Sequence, residues 1–199
     1  MNALAPQPPF RHRMTTADFL AWPGDENGRK FELVDGAVTP LSPASYVHSR
    51  IQSNVLVLLH TAIRDSGRLL YPTVEGVVVP RLGSGLNARV PDLVVTAAIA
   101  ERGEQDVSDP ILIVEVLSPG NQDRTRANLA SYATLPTLQE IAVLHSTSMA
   151  AELYRRQPDG AWPCDPEYIA ADGRLSLTSA GLDCALAEAY HGTWLARRP

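Results

Sequence analysis

The sequence predicts an α/β domain, and three observations carry that expectation. Residues 111–117, Ile-Leu-Ile-Val-Glu-Val-Leu, are apolar at both parities apart from Glu115, as in a central strand covered on both faces. A helical stretch from about Gln122 to Ala133 and a strand from Glu140 to His145 follow, the order of a right-handed crossover between strands. Upstream, Val47, Ile51, Val55, Leu58 and Ala62 recur at steps of four, four, three and four, which is one buried helical stripe.

The elements follow in chain order. Residues 1–14 are expected to form a flexible tail, since Met1 to His12 is Pro-rich and polar, with a single domain over 15–199. Thr15-Thr16-Ala17-Asp18 reads as a helix start, and Pro23-Gly24 ends that helix. Phe31-Glu32-Leu33-Val34 and Ala37-Val38-Thr39 flank Asp35-Gly36, a hairpin signal. The long helix runs from Ala44 to about Asp65, with Ser42, Pro43 and Ser45 as capping candidates and Gly67 as its stop. Leu69 to Val79 is β-rich, interrupted by Glu75-Gly76, and a glycine-bearing loop over 81–89 leads to the strand Asp92-Leu93-Val94-Val95. Ser118-Pro119-Gly120 breaks the central strand. Glu152-Leu153-Tyr154, Tyr168-Ile169 and Leu175-Ser176-Leu177 read as short strands, and Leu186 to Tyr190 as a short helix.

Composition bounds the function. A chain of 199 residues with 45% hydrophobic side chains buries an ordinary core, which excludes disordered, collagen-like and coiled-coil classes. No apolar run reaches the roughly 18 to 20 residues of a membrane helix. Met1 to Pro9 has neither a basic start nor an apolar block, so no signal peptide is read and the cytoplasm is expected. Cys164 and Cys184 form no C-x-x-C pair and are expected to be two buried thiols. The net charge of −5 argues against bulk electrostatic attachment to nucleic acid. Of the 17 basic residues only Lys30 is a lysine, so any lysine chemistry has one candidate.

Glu115 is the odd residue. A carboxylate inside an apolar strand is costly unless it is paired, hydrogen-bonded or bound to metal. Asp92, directly after Pro91, starts the preceding strand, and adjacent strands would let the two carboxylates converge. Two oxygen ligands of this kind suit Mg²⁺, which keeps several waters and takes one or two carboxylates plus phosphate oxygens. Arg124, Asn128 and Tyr132 lie at i, i+4 and i+8 and share a helix face.

The chain resembles the PD-(D/E)xK nuclease superfamily and, more closely, the Uma2 family of restriction-endonuclease-like proteins. The resemblance spans about Thr15 to Tyr190. It rests on Phe31-Glu32-Leu33-Val34-Asp35-Gly36, Ser42-Pro43 with His48, Arg89-Val90-Pro91-Asp92, Val114-Glu115-Val116-Leu117-Ser118-Pro119, and Asp123-Arg124 leading to Leu129 and Tyr132. It implies a restriction-endonuclease-like mixed β-sheet flanked by helices, and metal-dependent hydrolysis of a phosphodiester in nucleic acid, DNA foremost. Asp92 and Glu115 would hold Mg²⁺ or Mn²⁺, Glu32 would be a further acidic group, and His48 would contact phosphate or move protons. The superfamily lysine falls at Leu117, and the position used in Uma2-like chains falls at Asn128, so neither is basic. Arg124 is then the basic assistant, with Asn128 able to orient water but not to supply charge. A homodimer is a reasonable expectation, because two sites cut two strands most easily. Two other readings stay open: a nuclease-like fold that binds without turnover, and a structural protein in which Glu115 pairs with an arginine such as Arg124.

Overall fold

The computed structural model describes residues 13–82 and 85–197. The first twelve residues of the expected tail, Gly83-Ser84 of the glycine loop, and Arg198 lie outside the described residues. Arg13 and Met14 do not behave as tail. Met14 is buried, and its N–H donates to the Gly36 carbonyl at 2.9 Å, so the chain is already docked on the hairpin.

Helix α1 (Thr16–Ala21) is capped by Thr15, whose hydroxyl accepts from the Asp18 N–H. Strands β1 (Phe31–Val34) and β2 (Ala37–Pro40) form the hairpin around Asp35-Gly36, both at positive φ. Helix α2 (Tyr46–Ser66) starts two residues later than the sequence suggests. Its N-cap is Ser45, whose Oγ accepts from the His48 N–H at 3.2 Å, and Gly67 closes it in the left-handed conformation.

A six-stranded sheet follows in the order β3 (Tyr71–Val74), β4 (Leu93–Thr96), β5 (Pro110–Leu117), β6 (Glu140–His145), β7 (Ala151–Arg155) and β8 (Glu167–Ile169). Only β5 and β6 are parallel, with helix α3 (Gln122–Tyr132) between them, so the expected strand–helix–strand unit is present. The other neighbours are antiparallel. A separate hairpin, β9 (Arg174–Leu177) and β10 (Leu182–Ala185), turns at Gly181 and runs into the short helix α4 (Leu186–Ala189).

The period of two along β4 and β5 assigns the two faces. Leu93, Val95, Leu112, Val114 and Val116 face the layer of α2, β9, β10 and α4. Val94 and Ile113 face the layer of Tyr132, Leu135 and Leu138 on and after α3. Met14, Phe19, Phe31, Leu33 and Val38 make a third cluster under the first hairpin. Glu115 has the parity of Ile113 and therefore points toward α3.

Two expectations change in detail. The buried stripe of α2 is His48, Ile51, Val55, Leu59 and Ile63. Val47, Leu58 and Ala62, expected in it, are half-buried against the same core, because the stripe begins at His48 and keeps steps of four past Val55. Cys184 is buried, and its burial pushes the thiol up to about 11, but Cys164 is exposed.

Candidate active site

The β4–β5 register sets the geometry of the site. Strand β4 begins at Leu93, which pairs with Val114, so Asp92 lies just before that strand beside the end of β5, where its carboxylate accepts from the Val116 N–H. The two acidic residues singled out from the sequence are close enough for the Asp92 charge to act on Glu115, while the Asp92 side chain reaches α2 through His48.

Asp92 is held at both oxygens. Its Oδ2 accepts from the Val116 N–H at 2.6 Å, and its Oδ1 lies 2.9 Å from His48 Nε2. His48 is buried, and its Nδ1 lies 3.3 Å from Ser118 Oγ, which accepts from Ser146 Oγ at 3.0 Å. This hydroxyl chain donating to Nδ1 leaves Nε2–H to donate to Asp92. His48 thus orients the carboxylate from the first turn of α2. One turn on, Gln52 Nε2 donates to the Asp92 carbonyl at 2.7 Å.

Glu115 is 1% exposed, and Tyr132 Oη donates to its Oε1 at 2.6 Å. Burial raises Glu115 well above the usual carboxylate range, and the Asp92 charge raises it further. The Tyr132 hydrogen bond and the more distant Arg124 oppose that shift without reversing it. Burial likewise raises the Tyr132 phenol.

Glu32 is fully buried, not solvent-facing. Simple alternation with Phe31 and Leu33 would expose it, but the bridge between Leu33 and Ala88 lays a further segment beside the hairpin, and α3 covers the rest. Glu32 Oε1 accepts from the Val90 N–H and from Asn128 Nδ2, both at 3.0 Å. Arg124 Nη1 stands 3.2 Å from the same oxygen as an ion pair without hydrogen-bond alignment. Glu32 Oε2 is buried with no hydrogen-bond partner. The shared face of α3 thus delivers Arg124 and Asn128 to Glu32 and Tyr132 to Glu115. Glu32, Glu115 and Asp92 all hold Arg124 more firmly protonated against the opposing effect of its burial.

The buried arginine partner expected for a structural Glu115 is therefore spent on Glu32. A second buried arginine went unread. Arg89 donates to the Leu33 carbonyl and, at 2.8 Å, to Asn87 Oδ1, and its burial lowers its pKa. Its sign in the sequence is an arginine three residues before Asp92, set between Ala88 and Val90.

Asp92 opens onto a cleft of about 630 Å³ whose wall also carries His48, Asn121 and Arg124, with Lys30 and Glu75 on the hairpin side. Glu115 lies behind that wall. The acidic donors fit Mg²⁺ or Mn²⁺ by their chemistry: all are oxygens, each Asp92 oxygen keeps a free lone pair, and Glu32 Oε2 is unsatisfied. Among the described residues no three His, Cys, Asp or Glu side chains form a metal-holding group by themselves.

Comparison with known proteins agrees with this architecture. The family model Uma2, "Putative restriction endonuclease", matches residues 16–186. The uncharacterized protein slr1290 of Synechocystis sp. is 30% identical over 194 residues, 96% of this chain and 98% of its own. A second Synechocystis protein, the uncharacterized sll1609, is 26% identical over 154 residues, 75% and 84% of the two chains. A crystal structure from Anabaena variabilis ATCC 29413, described as a putative nuclease belonging to DUF820, superposes with a TM-score of 0.71 at 19% identity, covering 89% of this chain and 97% of that one. The sheet with its helical layers is thus a nuclease-like fold, and the chain belongs to the Uma2 family of restriction-endonuclease-like proteins.

Proposed function

We propose that the protein is a metal-dependent endonuclease that hydrolyses phosphodiester bonds of DNA. The observation that carries this reading is Asp92, held by His48 and the Val116 N–H at the wall of an open cleft, with the buried Glu115 near enough to feel its charge. Asp92 and Glu115 would hold Mg²⁺ or Mn²⁺, which supplies a Lewis acid and a water of lowered pKa. The chain's own residues do the rest. His48 and the Val116 N–H fix the Asp92 carboxylate toward the cleft. Tyr132 fixes Glu115. Arg124, anchored by Glu32, places positive charge at the cleft wall, where a phosphate oxygen gains charge in the transition state. It stays protonated and so stabilises charge without abstracting a proton. A homodimer would supply the two sites that cutting both strands of a duplex needs.

A second reading, binding without turnover, is favoured by Leu117 and Asn128 at the two positions where related nucleases carry lysine. One experiment separates the two. Plasmid DNA is incubated with the protein in Mg²⁺ or Mn²⁺, beside Asp92→Asn and Glu115→Gln. Nicking by the wild type that both substitutions abolish supports the nuclease. Metal-dependent DNA binding with no nicking supports the binding module.

A further inference from the structure

We propose that Lys30, the sole lysine of the chain, is the phosphate-binding cation of the cleft, and that Glu75 holds it in place until a phosphate enters. This rests on the nuclease reading above and names the residue that stands in for the missing helix lysine. Three basic side chains line the cleft: Arg29, Lys30 and Arg124. Arg124 is anchored 3.2 Å from the buried Glu32 oxygen, in place for the charge of the transition state but not free to reach out for an incoming phosphate. Arg29 is committed too, with Nε 2.5 Å from Asp25 and its guanidinium 5.5 Å over the Phe31 ring. Lys30 is different. Its ammonium pairs with Glu75, and both side chains are substantially exposed, 55% and 39%.

The position is specific. The Glu75 N–H donates to the Asp92 carbonyl at 3.2 Å, so the carboxylate that receives Lys30 sits on the residue bonded to the backbone of Asp92. The Lys30 carbonyl accepts from the Leu41 N–H at 2.8 Å, which ties the lysine backbone to the hairpin while its side chain stays exposed. An ammonium is a compact charge with three donors, and an ion pair between exposed side chains is easily exchanged. A phosphate dianion or diester entering between Lys30 and Asp92 replaces the Glu75 carboxylate as the ammonium's acceptor. The freed Glu75 charge then opposes entry, so Lys30 and Glu75 act as a coupled pair.

The test measures binding of a labelled 20-base-pair DNA duplex in Ca²⁺ across a salt series, for wild type, Lys30→Gln, Lys30→Arg, Glu75→Gln and the double variant. Losing one phosphate contact lowers the steepness of log K against log salt by about 0.9. Lys30→Gln is expected to show that drop, and Lys30→Arg to retain the wild-type slope. Glu75→Gln is expected to tighten binding several-fold in the wild-type background and to have a smaller effect beside Lys30→Gln, where only the repulsion by the Glu75 charge is removed. An unchanged slope in Lys30→Gln, or an equal Glu75→Gln effect in both backgrounds, overturns the assignment. If wild type nicks DNA and Lys30→Gln changes neither slope nor nicking, only the Lys30 assignment falls. If wild type neither binds nor nicks DNA with any divalent metal, the nuclease reading falls and Lys30 with it.

Discussion

The hydroxyl of Tyr132 donates to Glu115 at 2.6 Å, joining the third residue of the α3 face to the buried carboxylate of the central strand. Both groups are fully buried, so this bond is what satisfies Glu115 in the absence of a cation. Tyr132→Phe should destabilise the metal-free protein by about 1 to 2 kcal/mol, the cost of leaving a buried acceptor unpaired. Urea melts in EDTA measure it. A loss near zero would mean that Glu115 has another partner.

Glu115 also makes stability depend on pH, with a sign opposite to that of most carboxylates. Its folded pKa lies well above the ordinary carboxylate range, first through burial and then through the Asp92 charge. The folded state binds the proton more tightly than the unfolded chain. The contribution is therefore fully present below about pH 4.5 and is lost as pH rises toward the folded pKa. Glu115→Gln should remove that decline and leave the metal-free protein at neutral pH as stable as wild type or more so. A loss of about 3 to 5 kcal/mol would instead indicate a broken buried ion pair.

Glu152 supplies the contrasting case. Hydrogen bonds from Arg126, helped by His145, hold it down to about 2 against its partial burial. Its contribution is present above about pH 4.5 and is lost as pH falls through about 2. Glu152→Gln should flatten the acid limb of the stability profile in that window and leave the Glu115 decline at higher pH intact. An unchanged acid limb would contradict the assignment.

The α3 face offers a gain-of-function test. Asn128 donates to Glu32 Oε1 beside an unsatisfied Glu32 Oε2, so a lysine at 128 finds a ready carboxylate. Asn128→Lys should raise Mn²⁺-dependent nicking by 10-fold or more, equivalent to about 1.4 kcal/mol of transition-state stabilisation. Arg124→Ala should lower any wild-type nicking. It should also destabilise the fold by about 3 kcal/mol, because it strands the buried Glu32 charge. Rates are therefore compared at a temperature where melts show both proteins folded. Equal rates in all three proteins would remove α3 from the chemistry.

Much of the site was legible because its residues break local rules. Glu115 interrupts an apolar strand, and Arg124, Asn128 and Tyr132 keep a helical spacing; the structure places them at the buried carboxylates. What stayed hidden depends on contacts distant in sequence. The burial of Glu32 comes from Ala88 and Val90 lying beside the hairpin, which no pattern within residues 31–40 announces. The presence of Lys30 in the cleft depends on Glu75, 45 residues away. Strand β10 carries no strand signal in the sequence, because Leu-Asp-Cys-Ala is weakly β-forming and is a strand through its pairing with β9. The shift of the α2 stripe to Leu59 and Ile63 has a similar origin, since β10, α4 and the sheet share that helix between them.

The central claim is that Asp92 and Glu115 share one divalent cation. The most direct measurement is a crystal structure in Mn²⁺ with data collected at the manganese absorption edge. The account predicts a single anomalous peak about 2.1 to 2.2 Å from an oxygen of Asp92 and an oxygen of Glu115, absent from Glu115→Gln crystals grown the same way. A fully loaded protein, shown by metal analysis, with no peak between these two residues would contradict it.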